Sequence, residues 1–282
     1  MSEAKGKWLV ALSIAALALM SGASLAFGQK EPSHANRIAS PKVRYERAVE
    51  QASEALRKNP KDTGALITRG TALVHLGELA AGVKDLRDAV ALDPKNFGAQ
   101  FHLGRARYAL RDLVGAREAF QAATALRPQD IETRFSLATV LEELGDRDAA
   151  LAEYREMTER NPRDARGYVG LGNSLAERGD NEGAMAALRR ARALAPQDFE
   201  AALAMGRLLA RQAQWQPAIA LLREAAELKP DSPEAHYQLG LALQRDGQKE
   251  DAAREFATVE RLNQRLRMQA GGMGKTSPKK ID

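Results

Sequence analysis

The chain has 282 residues, of which 28% are charged, 44% hydrophobic and only 5% aromatic. That composition suits a folded, soluble body of one or two domains, or one extended array, with enough length to bury a sizeable core. The absence of cysteine excludes a disulfide scaffold, a cysteine-ligated metal site, a thiol nucleophile and a lipoprotein cysteine, and the formal charge of +5 is concentrated in residues 261–282, which carry six bases and one acid. The near-neutral body that remains lacks the basic face a dedicated nucleic-acid binder needs.

In chain order, Lys5 and Lys7 precede an uncharged run from Trp8 to Phe27 that closes on the small residues Ser24 and Ala26. A positive start, an apolar stretch and then small residues describe a secretory signal peptide over residues 1–26, cut before Phe27. The competing reading is an uncleaved anchor, because twenty uncharged residues just span a bilayer. Either reading places the body outside the cytoplasm, in the periplasm or cell envelope. Residues 27–42 hold two prolines and no periodicity and read as a linker. Residues 43–62 read as a capping half-repeat, with a helix over 43–58 that carries Ala48 and Ala55 on one face.

From there a period of 34 governs the chain: Pro60, Pro94, Pro128, Pro162, Pro196 and Pro230 recur in near-identical contexts. Counting each repeat from the third residue after its proline, position 8 reads Gly70, Gly104, Ala138, Gly172, Gly206 and Gly240. Position 20 reads Gly82, Ala116, Ala150, Ala184, Ala218 and Ala252, and position 24 reads Leu86, Phe120, Tyr154, Leu188, Leu222 and Phe256. Spacings of three and four put these residues on single helix faces. Small residues at positions 8 and 20 let two helices cross closely, and the large residue at 24 fills the space beside them. Turn signals such as HLGEL and ELGDR separate the two helices, with glycine at the left-handed stop. Each repeat proline blocks continuation of the second helix. The first repeat departs from the pattern with Arg69 at position 7 and Gly82 at position 20, which suggests looser packing there or contact with the cap.

On these residues the chain resembles the tetratricopeptide repeat family, in its bacterial exported form. The resemblance implies an all-α fold, a right-handed superhelical solenoid of tetratricopeptide helix pairs. Six repeats span residues 63–266, a basic tail spans 267–282, and the cap plus six pairs give thirteen helices. The resemblance also implies a concave groove lined by the first helix of each pair at positions 2, 5, 9, 12 and 13. Position 5 then supplies an apolar ladder of Ile67, Phe101, Phe135, Val169, Leu203 and Tyr237, with Tyr108 as a further aromatic. Arg105 and Arg207 are candidate donors to an acidic partner; Glu142 and Glu143 would instead meet a basic one. Asn173 is the sole partial echo of the clamp by which some family members hold a chaperone's C-terminal carboxylate, and no repeat has lysine at position 5.

Other chemistries are poorly supplied. GGMGKTS at 271–277 lacks the first glycine, strand and following helix of a phosphate-binding loop. His34, His75, His102 and His236 show no ligand spacing on one helix. The carboxylates alternate with Arg and Lys as solvated helix faces do. The expected function is therefore a non-catalytic scaffold in the cell envelope, with no cofactor and no metal, that binds a peptide or helix of a protein partner in its groove. The alternative is an accessory or regulatory subunit of an envelope biogenesis, secretion or polysaccharide enzyme complex. Self-association through the array's ends and weak contact of the basic tail with an anionic membrane are further expectations.

Overall fold

The computed structural model describes residues 40–273, and every element in it is an α-helix. The leader at 1–26, the linker up to residue 39 and the tail beyond 273 lie outside the described residues. Among the described residues no helix is long and apolar enough to cross a membrane.

The helices form two compact units that divide at Leu144 and Gly145. The first holds α1 (Pro41–Lys58), α2 (Thr63–His75), α3 (Leu79–Leu92), α4 (Phe97–Ala109), α5 (Leu113–Leu126) and α6 (Ile131–Glu143). The second holds α7 (Arg147–Arg160), α8 (Ala165–Glu177), α9 (Asn181–Leu194), α10 (Phe199–Arg211), α11 (Trp215–Leu228), α12 (Pro233–Arg245) and α13 (Lys249–Met273). The cap begins at Pro41, two residues earlier than the sequence suggests, because the Ser40 hydroxyl accepts from the Val43 N–H and proline suits the first helical position. The last helix runs through the expected tail boundary at residue 267. No proline or glycine interrupts it before Gly271.

Each unit follows one packing rule. Pairs form antiparallel hairpins: α2 with α3 and α4 with α5 in the first unit, then α8 with α9, α10 with α11 and α12 with α13 in the second. Each first helix also packs on the second helix before it, and successive first helices touch, α2 with α4 and α4 with α6, α8 with α10 and α10 with α12. The result is an all-α solenoid of paired helices in which one face of each unit is built from first helices.

Local chemistry sets where helices start. Asp62, Asn96, Asp130, Asp164, Asp198 and Ser232 each stand two residues after a repeat proline and cap the first helix, accepting from a backbone N–H two or three residues on. Each such cap is worth about 1 kcal/mol. The hairpin turn needs a left-handed residue at position 15, and Gly77, Gly145, Gly179 and Gly247 supply it with φ of 80–89°. Arg111 (φ 64°) and Ala213 (φ 57°) hold the same conformation without glycine. Ala213→Gly is therefore expected to stabilise the chain by about 1 kcal/mol, relieving Cβ strain at a modest entropy cost. An unchanged or lower chemical-denaturation midpoint would contradict that.

The predicted crossing residues are the core. Ala116, Ala150, Ala184 and Ala218 are fully buried, as are Leu86, Leu188 and Leu222, with Phe120 1% exposed. A Cβ on Gly104, Gly172, Gly206 or Gly240 would lie 2.6–2.7 Å from the ring or branch of the position-24 residue in the same hairpin. The first repeat is closed in another way. Arg69 donates through Nε and Nη2 to Asp85 at 2.6 and 2.8 Å, and Asp85 is buried. Gly82 replaces alanine because α2 and α3 approach so closely that a Cβ there would lie 2.7 Å from the Gly70 carbonyl oxygen. The departures at positions 7 and 20 thus mark tighter packing rather than looser packing.

Candidate functional site

The first-helix face of the N-terminal unit carries Ile67 on α2, Phe101, Arg105 and Tyr108 on α4, and Phe135 on α6. Ile67, Phe101 and Phe135 are half-buried. Phe101 anchors an aromatic group, stacked on Phe97 with centroids 5.9 Å apart, tilted against the buried Phe120 at 6.1 Å and edge-on to His102 at 5.4 Å. The guanidinium carbon of Arg105 lies 5.8 Å from the Phe101 ring centroid. Tyr108 is buried, and its hydroxyl donates to Glu143, which also receives Arg111 Nη1 at 2.5 Å. The free chain therefore already occupies Tyr108 and Glu143 with each other.

In the second unit the ladder residues separate. Val169 lies in the core with Ala191 and Ala201, and Leu203 packs among Ala202, Ile219 and Leu222. Their side chains are interior packing in the free chain. Asn173 is exposed on α8. Arg207 is exposed and donates to Glu234 at 3.0 Å. Tyr237 is 46% exposed and leans on Phe256 with ring centroids 6.0 Å apart. It borders a shallow cleft of about 370 Å³ whose other wall is α13, with Val259, Asn263 and Arg267. In the preceding pairs of this unit the second helix is packed against the next first helix.

Sequence reasoning missed three features. The first is the α13 wall of that cleft, which no motif marks in the sequence. Position 4 carries a recurring polar clasp: Gln100 Nε2 donates to the Pro94 carbonyl at 3.1 Å, Arg134 Nη2 to Pro128 at 3.1 Å, and His236 Nε2 to Pro230 at 3.0 Å. The shared offset of six residues from each proline was visible in the sequence. The third is a basic group on the first-helix face of the N-terminal unit, where His102 joins Arg105 one turn away and His75 stacks on Tyr45 of α1, centroids 4.3 Å apart and planes 8° from parallel. Burial, reinforced by the Arg105 charge, lowers the pKa of both imidazoles, that of His102 to about 4. Burial also lowers the Arg105 pKa, opposed by the nearby Glu132 charge.

Among the described residues no group of three or more His, Asp or Glu side chains could hold a metal ion. His236 is engaged at both ring nitrogens, Nδ1 with Glu255 at 2.6 Å and Nε2 with Pro230.

Known proteins agree with this geometry. A tetratricopeptide repeat profile matches residues 67–131 and 135–199, and a TPR repeat profile matches residues 206–247. No curated protein matches the chain. Among solved structures, a tetratricopeptide repeat protein from Parabacteroides merdae is 17% identical with a TM-score of 0.65, covering 78% of this chain and 88% of its own. YrrB, a TPR protein described as having an unusual peptide-binding site, is 22% identical with a TM-score of 0.55, covering 67% of this chain and 97% of its own. A thermophilic TPR protein of Thermus thermophilus is 22% identical with a TM-score of 0.52, covering 64% and 99%. At these identities the likeness concerns the fold. The profiles cover well over half of the chain in register with its 34-residue period, and the chain accordingly belongs to the tetratricopeptide repeat family of non-catalytic, protein-binding scaffolds.

Proposed function

We propose that the chain is an envelope scaffold whose first-helix faces hold an extended peptide or amphipathic helix of a protein partner. The observation that carries this reading is the set of incompletely buried aromatics on those faces, Phe101 and Phe135 in the first unit and Tyr237 in the second. Rigid aromatic side chains that stay partly exposed anchor partners at low entropic cost, and a polar surround excludes water from the contact. The envelope location rests on the apolar, small-residue-terminated leader at 1–26.

The test is crosslinked capture from envelope fractions of the native host. Wild-type chain is expected to retain a small reproducible partner set. The Phe101→Ala/Phe135→Ala variant is expected to lose at least tenfold in yield, with Tyr237→Ala assayed separately because it lies in the other unit. Equal recovery by the variants, at unchanged helicity by circular dichroism, would rule the first-helix faces out as the docking surface.

A further inference from the structure

The arginines nominated for an acidic partner differ in the folded chain. Arg207 is exposed and already satisfied by Glu234. Arg105 is half-buried and forms no hydrogen bond or ion pair among the described residues, and its guanidinium carbon lies 5.8 Å from the Phe101 ring centroid. A recessed guanidinium presents five donors and cannot shed its charge. Its nitrogens are not among the buried atoms that lack a partner, so they stay open to an anion arriving from outside.

Its surroundings suit such an arrival. Burial lowers the pKa of His75 and His102, so neither adds a full positive charge beside Arg105 at neutral pH. The stacked pair of Tyr45 and His75 walls one side, and the Phe101 ring lies beneath the guanidinium. The Glu132 charge of α6 acts on Arg105 from the neighbouring first helix and opposes the effect of burial.

We infer that this cluster receives the side-chain carboxylate of an acidic residue within an extended apolar segment of the partner. The inference rests on the docking role proposed above for this face. An internal residue is favoured over a chain end because Ile67 on α2 and Phe135 on α6 continue the apolar surface on both sides of Arg105. A terminal carboxylate seated there would leave one flank uncovered. A carboxylate meeting Arg105 makes charge-assisted hydrogen bonds, the strong kind.

The experiment is affinity selection of random dodecapeptides on the immobilised full chain, wild type and Arg105→Gln in parallel. Wild type is expected to enrich sequences with one Asp or Glu flanked by apolar residues. Arg105→Gln is expected to keep the apolar preference and lose the acidic one. A selected peptide, remade with Gln for its Glu, should bind wild type at least tenfold more weakly. That comparison needs no protein variant and stands even if Arg105→Gln is poorly folded. Added salt should weaken the Glu peptide and leave the Gln peptide nearly unaffected. Enriched sequences without an acid, or equal affinity for the Glu and Gln peptides, would overturn the carboxylate assignment and leave the docking role intact. Failure of wild type to enrich any sequence would remove the docking role, and this inference with it.

Discussion

Asp85→Ala is expected to destabilise the chain by about 3 kcal/mol, the low end of the cost of stranding a charge inside a protein. Asp85 is 4% exposed and receives both Nε and Nη2 of Arg69, bridging α2 and α3 where other repeats use apolar contacts. Its removal leaves the Arg69 guanidinium without that partner. Because the Arg69 side chain is 28% exposed, it reaches water in part, which keeps the loss from the upper end of the range. The pair holds the first hairpin together, so the effect is local in a linear array. Hydrogen exchange should accelerate in α2 and α3 and stay unchanged in the second unit. The double variant Arg69→Leu/Asp85→Ala removes both charges and should recover most of the loss, since an apolar replacement is often neutral once neither charge is left alone. A single-variant loss under about 1 kcal/mol, or no recovery in the double, would show that the pair does not hold this hairpin.

Gly170→Ala is expected to cost about 2–3 kcal/mol, the range for overpacking a filled interior. A Cβ on Gly170 would come within 2.5 Å of Cζ of Tyr154 and closer still to Cδ1 and Cε1. Tyr154 is 3% exposed, so its ring has nowhere to retreat. In an open helix the same change would instead gain close to 1 kcal/mol, so even the sign of the measured effect is informative. Tyr154→Leu should be destabilising alone, yet should soften the Gly170→Ala penalty by about 1–2 kcal/mol in a double-mutant cycle. Additive effects would mean that the ring is not the obstacle.

Much of this was legible beforehand, and the particular residues show why. Position 24 in the interior and glycine at the turn of four hairpins follow from the 34-residue register, because a helix face is a local property of spacing. Arg111 and Ala213 at the same turn were not legible, since neither residue type announces a positive φ. Among site residues, Phe101, Phe135 and Tyr237 stand where the period puts them, with part of each ring accessible. Val169 and Leu203 share that position yet are buried, because how far a position-5 side chain sinks depends on the neighbouring helices rather than on its own.

The sequence by itself determined the helix pairs, their register, the small and large residues at each crossing and hence the family. All of these are written in spacings of three, four and 34 along one strand of chain. Only the tertiary structure decided that Arg69 is a structural residue held by Asp85, that Gly82 permits an approach alanine would block, and that Arg207 pairs with Glu234 while Arg105 forms no ion pair among the described residues. Each of these depends on which side chain a neighbouring helix brings within a few ångströms. Sixteen residues separate Arg69 from Asp85 and 27 separate Arg207 from Glu234; the repeat register says which positions face each other, not which charged side chains close into a pair.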